Sequence, residues 1–422
     1  MGPTTNTITG PSRVWQGSRY YGWPNLAVAA LAMVGTLPGR TQGLGLITEP
    51  LIATLGMSRV TYAELNLWAT LIGAAFCLPC GRLTDRFGSR HVLTSVAAAL
   101  GLTVIAMSQI TGVAALAIAI TLTRGLGQSA LSVVSLALVG KWFSRRINQA
   151  MGIYSLLVGI GFILAFPTVG QLTLAYGWRV AWLGVGLVLT VVIAPVAWLI
   201  VRNGPEEVGS AVDGVAEQTP QTAAALTFAQ AMRSAAFWVF AIASSLFGLV
   251  YSGIALFNQS ILEQRGFDAA MYHTALVIST LVGLAANFAG GWAGTRWPIQ
   301  RLMGIGMAVL ALSLLMLPFV KTAAHVTAYA VTMGVAGGVV TVVFFSVWSQ
   351  VFGRQHLGRI QGCAQMMTVF ASACGPLLLA ETYQRTGSYE SVFFALAAVV
   401  AFFGIACWIV RLPTRTAVAA QL

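Results

Sequence analysis

Two arginines stand in stretches that carry no other charge. Arg40 lies in LPGRTQGLG (37–45); the run from Leu26 to Leu37 before it is uncharged, and the next charge after it is Glu49. Arg124 lies in VAALAIAITLTRGLGQSALSVVSLALV (113–139), where it is the sole charge. A planar guanidinium binds a carboxylate through two parallel N–H···O bonds, so a pair of them without an acid describes a receptor for an organic anion. Polar or small residues recur at helical spacing nearby: Thr36, Arg40 and Gly43, then Thr121, Arg124, Gln128 and Ser135. A second set runs through Ser245, Ser252 and Gln259 with Asn258 adjacent, and a third through Gln361, Gln365, Thr368 and Ser372. Together they predict a cavity with cations on one wall and amides and hydroxyls on the other. The expected substrate-binding set is Arg40, Arg124, Gln128, Thr36, Ser252, Asn258, Gln259 and Gln365. Two structural readings stay open. Either arginine could bond to backbone carbonyls, as near Pro38 and Gly39, and small polar residues also join helices to one another.

Other chemistries find little support. His91, His273, His325 and His356 are scattered without metal-ligand spacing. Cys77-Leu-Pro-Cys80 has the form of a redox pair, yet it falls inside an apolar run and reads as two reduced, inert thiols. Cys363, Cys374 and Cys407 also fall in apolar runs, and no phosphate-binding glycine loop appears. Neither an enzyme, a cofactor nor a metal is expected.

The elements that position the arginines follow from composition. The chain has 422 residues, 57% hydrophobic and 8% charged, with a mean hydropathy of +0.81, whereas a soluble domain carries about 25% charged residues. Apolar stretches of roughly 20 residues, each long enough to cross a bilayer as a helix, recur from end to end. Twelve spans are predicted: 23–53, 62–81, 92–109, 113–139, 149–171, 179–201, 235–259, 272–294, 302–320, 326–350, 361–382 and 391–411. Residues 1–22 are polar and lack a signal-peptide core. With the N-terminus inside, sixteen basic residues fall on inside segments and five on outside ones, a firm positive-inside bias that places both termini in the cytoplasm. The net charge of +12 is therefore a topology signal, with some attraction to anionic lipid, and calls for no nucleic acid. On a continuous first helix Arg40 lies fifteen residues beyond Asn25, about 22 Å along its axis. Arg124 lies eleven residues into span four, about 16 Å, so both approach the midplane. A cation there costs roughly 2.5–3.5 kcal/mol on insertion scales and needs a wet cavity or a partner. The acids do not supply one: Asp85, Glu206, Glu207, Asp213 and Glu217 are on inside segments, and Glu49, Glu64, Glu263, Asp268, Glu381 and Glu390 are at or beyond outer ends.

The chain repeats itself. Residues 202–234 form a polar linker, helical towards Met232, between a half spanning 23–201 and a half spanning 235–411, with tails at 1–22 and 412–422. GRLTDRFGSR begins at Gly81 and GWAGTRWPIQ at Gly291; KWFSRRINQAMG begins at Lys141 and QVFGRQHLGRIQG at Gln350. Gly81 matches Gly291 and Gly152 matches Gly362 at an offset of 210; Pro167 matches Pro376 at 209. Two six-helix repeats of one orientation are a transporter architecture. GRLTDRFGSR (81–90), with its degenerate second copy, resembles the major facilitator superfamily motif between spans two and three, and the likeness covers nearly the whole chain. PGRTQGLGLITEPLIATLG (38–56), RGLGQSALSVVSLALVGKWFSRR (124–146), PEEVG (205–209) and GPLLLAETYQRTGSYESVF (375–393) resemble its monocarboxylate and oxalate–formate branch.

The resemblance implies an all-α membrane protein in which spans one, four, seven and ten line the central path. It also implies a conformational switch at Gly81, Asp85, Arg86, Gly88, Arg90 and Arg296. In it Asp85, following a helix end and surrounded by Arg82, Arg86 and Arg90, latches a neighbour of span eleven across the half interface when the carrier faces outward. The matching position in the second half is Thr295, without charge. Relatives keep a basic residue in span eight, where this chain has only His273 near the outer end, so its cargo is expected to differ from lactate-like or oxalate-like anions. The expected function is secondary transport of a small organic anion, a carboxylate, by alternating access. A coupling proton would ride on the cargo, on His273, or on Glu49 or Glu64. The alternative is an efflux carrier of amphipathic or drug-like compounds. Short loops point to a bacterial inner membrane, and a monomer is expected.

Overall fold

The computed structural model describes residues 20–214 and 226–413. The tail residues Arg13, Arg19 and Arg415 and the linker acid Glu217 lie outside the described residues. Eleven helices among those described are long and apolar enough to cross a membrane. They are span two (Thr61–Phe87), three (Ser89–Ser108), four (Val113–Trp142), five (Ile147–Tyr176), six (Trp178–Ile200), seven (Ala235–Glu263), eight (Ala270–Ala293), nine (Ile299–Phe319), ten (Ala323–Phe352), eleven (Leu357–Thr386) and twelve (Glu390–Ile409).

Span one is the exception and corrects the expected continuous helix over 23–53. It is helical over Gly22–Val34, tightens to a 3₁₀ turn at Leu37–Gly39, and resumes as Thr41–Gly45 and Thr48–Leu55. Pro38 is the cause: it has no N–H to give, and its ring excludes the carbonyl four residues back. Arg40 itself is extended, with φ −92° and ψ 152°. Non-helical backbone at membrane depth survives only where protein buries it or a cavity hydrates it. Here it packs on a stretch of span four, Arg124–Leu131, that is wound as a wider π-type helix. Gly39 and Gly127 meet there, and a Cβ on Gly39 would strike the Thr123 carbonyl and the Gln128 amide nitrogen.

Spans one to six form one half and seven to twelve the other; span five packs on span eight, and span two on span eleven. Hydrogen bonds joining the halves gather at the end that carries the linker. There Arg354 Nη1 donates to the Lys141 carbonyl (2.7 Å) and Asn148 donates its amide to the Gly294 carbonyl. The linker residues described are folded onto this end. Thr227 and Gln230 form a capping box on a short helix, Phe228–Arg233, as the pattern towards Met232 predicts.

Asp213 is a strong fixture of the linker end. It is buried, with a left-handed φ of 59° unusual for a non-glycine residue. Its carboxylate accepts from the backbone N–H groups of Ser144, Arg145 and Arg146 at 2.7–3.4 Å, at the turn that opens span five. Its own N–H donates to the Tyr20 hydroxyl at 3.0 Å, which in turn donates to the Trp142 carbonyl. Burial pushes the Tyr20 phenol up to about 12, so it keeps the proton it donates.

A candidate anion site at the break in span one

The two arginines occupy opposite situations. Arg124 is fully buried, 3% exposed. Its Nη1 donates to Gly39 O (3.2 Å), Thr41 Oγ1 (3.0 Å) and Gln128 Oε1 (2.9 Å), and Nη2 donates to Asn66 Oδ1 (3.0 Å). Gly39 and Thr41 flank Arg40, so Arg124 supplies the donors that the interrupted helix lacks. Its Nε is buried without a partner.

Arg40 is half-buried. Its Nε donates to Thr36 Oγ1 at 2.7 Å, and Thr36 donates in turn to the Met33 carbonyl at 2.6 Å. Nη2 reaches only the Met33 thioether at 3.0 Å, a weak acceptor. Among the described residues, Nη1 has no hydrogen bond and the guanidinium pairs with no acid. The ring of Phe162 on span five lies under it, 5.1 Å from centroid to Cζ. Tyr154, also on span five, stands within electrostatic reach. Because Ser135 gives its own proton to the Ala29 carbonyl (2.7 Å), Tyr154 must be the donor in the 2.7 Å Tyr154–Ser135 bond.

Of the four remaining expected site residues, three bond elsewhere. Ser252 Oγ donates to the Ser372 carbonyl (2.7 Å), joining spans seven and eleven. Buried Asn258 accepts from the Tyr329 hydroxyl (3.2 Å), and exposed Gln259 donates to Glu263 (2.8 Å). Gln365 is half-buried with no hydrogen bond to a described residue. A cleft of about 540 Å³ lies between spans two, seven and eleven; Leu71, Ile242, Met366 and Phe370 line it, with Ser245 its one hydroxyl. Arg40 is not among its lining residues. Sequence reasoning missed Asn66, Thr41, Phe162 and Tyr154. Asn66 and Tyr154 carried a signal, a polar group inside an apolar run, whereas Phe162 looked like any other span residue.

The switch motif takes a different form from the loop expected of it. Gly81, Asp85 and Arg86 belong to the helix Cys77–Phe87 that ends span two, and only Gly88, at φ 85°, makes the turn. Asp85 bonds across to the other half: its two oxygens accept from the N–H groups of Gly358 and Arg359, both at 2.9 Å. The carboxylate thus caps span eleven itself, rather than a neighbour of it, where the helix end carries partial positive charge. Gly81 makes room, since a Cβ would strike the Gly358 carbonyl. Arg86 lies against Phe87; Arg90 bonds to the Trp198 carbonyl (2.8 Å) and stacks on its ring; exposed Arg296 stacks on Trp292.

The model of the Major Facilitator Superfamily matches residues 26–268 and again 240–421. The chain belongs to that superfamily. It is a multi-pass membrane transporter, not an enzyme. Among superfamily members, it is 26% identical over 399 residues to mouse monocarboxylate transporter 11, covering 90% of this chain and 85% of that protein. It is 22% identical to the oxalate:formate antiporter of Oxalobacter formigenes, over 95% of this chain and 93% of that one. The fold matches the human organic anion transporter MFSD10 (TETRAN) with a TM-score of 0.70 at 16% identity, over 92% of this chain and 99% of that one.

Proposed function

We propose that this superfamily member is a secondary carrier of a small organic carboxylate, with Arg40 as the group that receives the carboxylate. The observation that carries the reading is the unsatisfied guanidinium. Arg40 keeps N–H donors free beside a helix break, with an aromatic ring under it and, among the described residues, no acid against it. The names of the monocarboxylate and oxalate:formate relatives, both carriers of small organic anions, support an anionic cargo. Arg124 takes a different part, holding the break in shape.

Alternating access follows from the two halves rocking about this site. The bonds gathered at the linker end support taking this conformation as the one closed towards the cytoplasm. Asp85 then biases the equilibrium, since an acid at a helix N-terminus is worth about 0.3–1 kcal/mol, enough to weight two states without locking either. The apolar cleft between spans two, seven and eleven favours a second reading, an exporter of amphipathic compounds.

The test is uptake of radiolabelled monocarboxylates, dicarboxylates and amino acids into liposomes carrying the purified protein, with and without an inward proton gradient. Saturable uptake of one anion class by wild type, lost in a folded Arg40→Ala variant, is expected. Uptake that survives the substitution overturns the assignment of Arg40. Transport restricted to cationic or neutral amphiphiles overturns the anionic cargo.

A further inference from the structure

The halves meet along two seams, spans two and eleven at one and spans five and eight at the other, built from repeated sequence but joined by different chemistry. We infer that Asn148, near the start of span five, is a second conformational latch that replaces the acid the second half lacks. The inference rests on the alternating-access reading above, in which this conformation is the one closed towards the cytoplasm.

At the first seam the Asp85 carboxylate accepts from the N–H groups of Gly358 and Arg359. The offset of 210 that pairs Gly81 with Gly291 carries Asp85 to Thr295, and carries Gly358 and Arg359 back to Asn148 and Gln149. The two helix starts match: Ala150 N–H bonds to the Arg146 carbonyl at 2.9 Å, and Ile360 N–H to the His356 carbonyl at 3.2 Å. The N–H groups just before each are the open end of a helix. Thr295 cannot take the part of Asp85. It is exposed and uncharged, and its hydroxyl donates to the Trp292 carbonyl of its own span at 2.7 Å.

The bond across the second seam runs the other way. Span two offers an acceptor to backbone donors, whereas span five offers a donor to a backbone acceptor. The side-chain amide of Asn148 donates to the carbonyl of Gly294, the residue that ends span eight. A carbonyl only accepts, so it is Nδ2 that faces it. A helix C-terminus carries partial negative charge, which suits a donor and repels a carboxylate. Asn148 is buried, and glycines clear its place: a Cβ on Gly294 would strike its side chain, and one on Gly291 its backbone carbonyl. The first seam has nothing corresponding. Gly358 stands at the position of Asn148, where a Cβ would strike the Asp85 carboxylate. Thr84, at the position of Gly294, gives its carbonyl to Lys141 of its own half at 3.0 Å. Each seam therefore holds one polar side chain that crosses it, from opposite members of the pair.

The experiment reads the distance distribution between spin labels at Arg146 and Arg301, exposed residues of opposite halves. Asn148→Leu keeps the bulk of the side chain and removes the donor. It is expected to move the balance towards the cytoplasm-open form by about 2–10-fold, the effect of one neutral hydrogen bond. Asn148→Asp sets an acceptor against an acceptor and is expected to move it further. Combined with Asp85→Ala, the shifts should multiply, because the two latches share no residue. The sharpest variant is Asn148→Gly with Thr295→Asp, which rebuilds in the second seam the pairing of the first. It is expected to return the distribution of Asn148→Gly towards wild type, and it decides the matter even if Asn148→Leu fails to fold. Distances unchanged by Asn148→Leu and Asn148→Asp but altered by Asp85→Ala overturn the inference and leave alternating access standing. So does a Thr295→Asp that does not reverse Asn148→Gly. Distances that none of these variants moves, Asp85→Ala included, remove the two-state reading, and this inference with it.

Discussion

Arg40 and Arg124 are the same residue type, each in a run that gives it no acid, and they do opposite things. The difference is the number of acceptors within reach. Arg124 meets a backbone carbonyl, a hydroxyl and two amide oxygens. Arg40 meets one hydroxyl and a thioether. A cation that spends most of its donors on the protein stabilises its surroundings; one that keeps most of them free remains available to a ligand carrying the missing charge. The break beside Pro38 serves both, because it leaves the Gly39 carbonyl to Arg124 and sets Arg40 in extended backbone just before the next helical segment.

The sharpest way to break this comparison is to remove each arginine in turn. Truncating one partner of a buried charged pair costs about 2–5 kcal/mol. At 1.4 kcal/mol per decade, Arg40→Ala should then weaken the apparent affinity for a carboxylate by roughly 30-fold to a few thousandfold. Its thermal stability in detergent should stay within about 1 kcal/mol of wild type, since little else depends on its bonds. Proteoliposome uptake and thermal unfolding read the two quantities separately. Arg124→Ala should show the reverse order of effects. Each buried acceptor left without a donor costs about 1–3 kcal/mol and four are left, so a stability loss of at least about 4 kcal/mol is expected, with transport failing as a consequence of unfolding. Equal stability losses in the two variants would erase the distinction.

The same contrast recurs between two carboxylates at the linker end. Asp85 caps a helix of the opposite half, whereas Asp213 caps a turn of the half it is folded onto. Losing such a cap costs about 0.5–2 kcal/mol in either case. Asp85→Ala should therefore shift the balance between conformations by about 2–30-fold, read as a changed distance distribution between spin labels placed on the two halves. Asp213→Ala should lower thermal stability by a similar amount and leave that distribution alone. A shift in both variants would mean that the linker acts between the halves as well.

Much of this architecture was legible from composition and spacing, and the reasons mark where legibility stops. Hydropathy over roughly 20-residue windows reports length and apolarity, which suffices for twelve spans and two halves. The 209–210 offset between matching motifs carried the repeat, because it needs only residue identity. The break in span one was written in Pro38 and Gly39, yet an apolar window passes over it, since hydropathy is blind to a missing N–H. The end of span two was misplaced for the opposite reason: Arg82, Asp85 and Arg86 are charged, and charge reads as loop, although a helix end at the membrane surface tolerates it. Which arginine is satisfied was beyond the sequence. Gln128 lies one helical turn from Arg124 and could be read, but Asn66, 58 residues away, and the Gly39 carbonyl reach it only through tertiary packing.

The smallest expected effect tests the orientation of Arg40 rather than its presence. Thr36→Val keeps the volume of the side chain and removes the hydroxyl that holds Nε at 2.7 Å. A single hydrogen bond to a charged group contributes about 1.5–3 kcal/mol where it is fully desolvated and about 0.5–1.5 kcal/mol otherwise. Arg40 is half-buried, so the lower range applies, and KM for the carboxylate should rise by roughly 2–10-fold with little change in kcat. Lysine has no donor at the place of Nε, so Thr36→Val made in an Arg40→Lys background should add nothing further. That double-mutant cycle separates an effect passed through Nε from one on the packing of span one. If Thr36→Val raises KM equally in both backgrounds, Thr36 acts on the helix break, and the Phe162 ring alone aims the guanidinium.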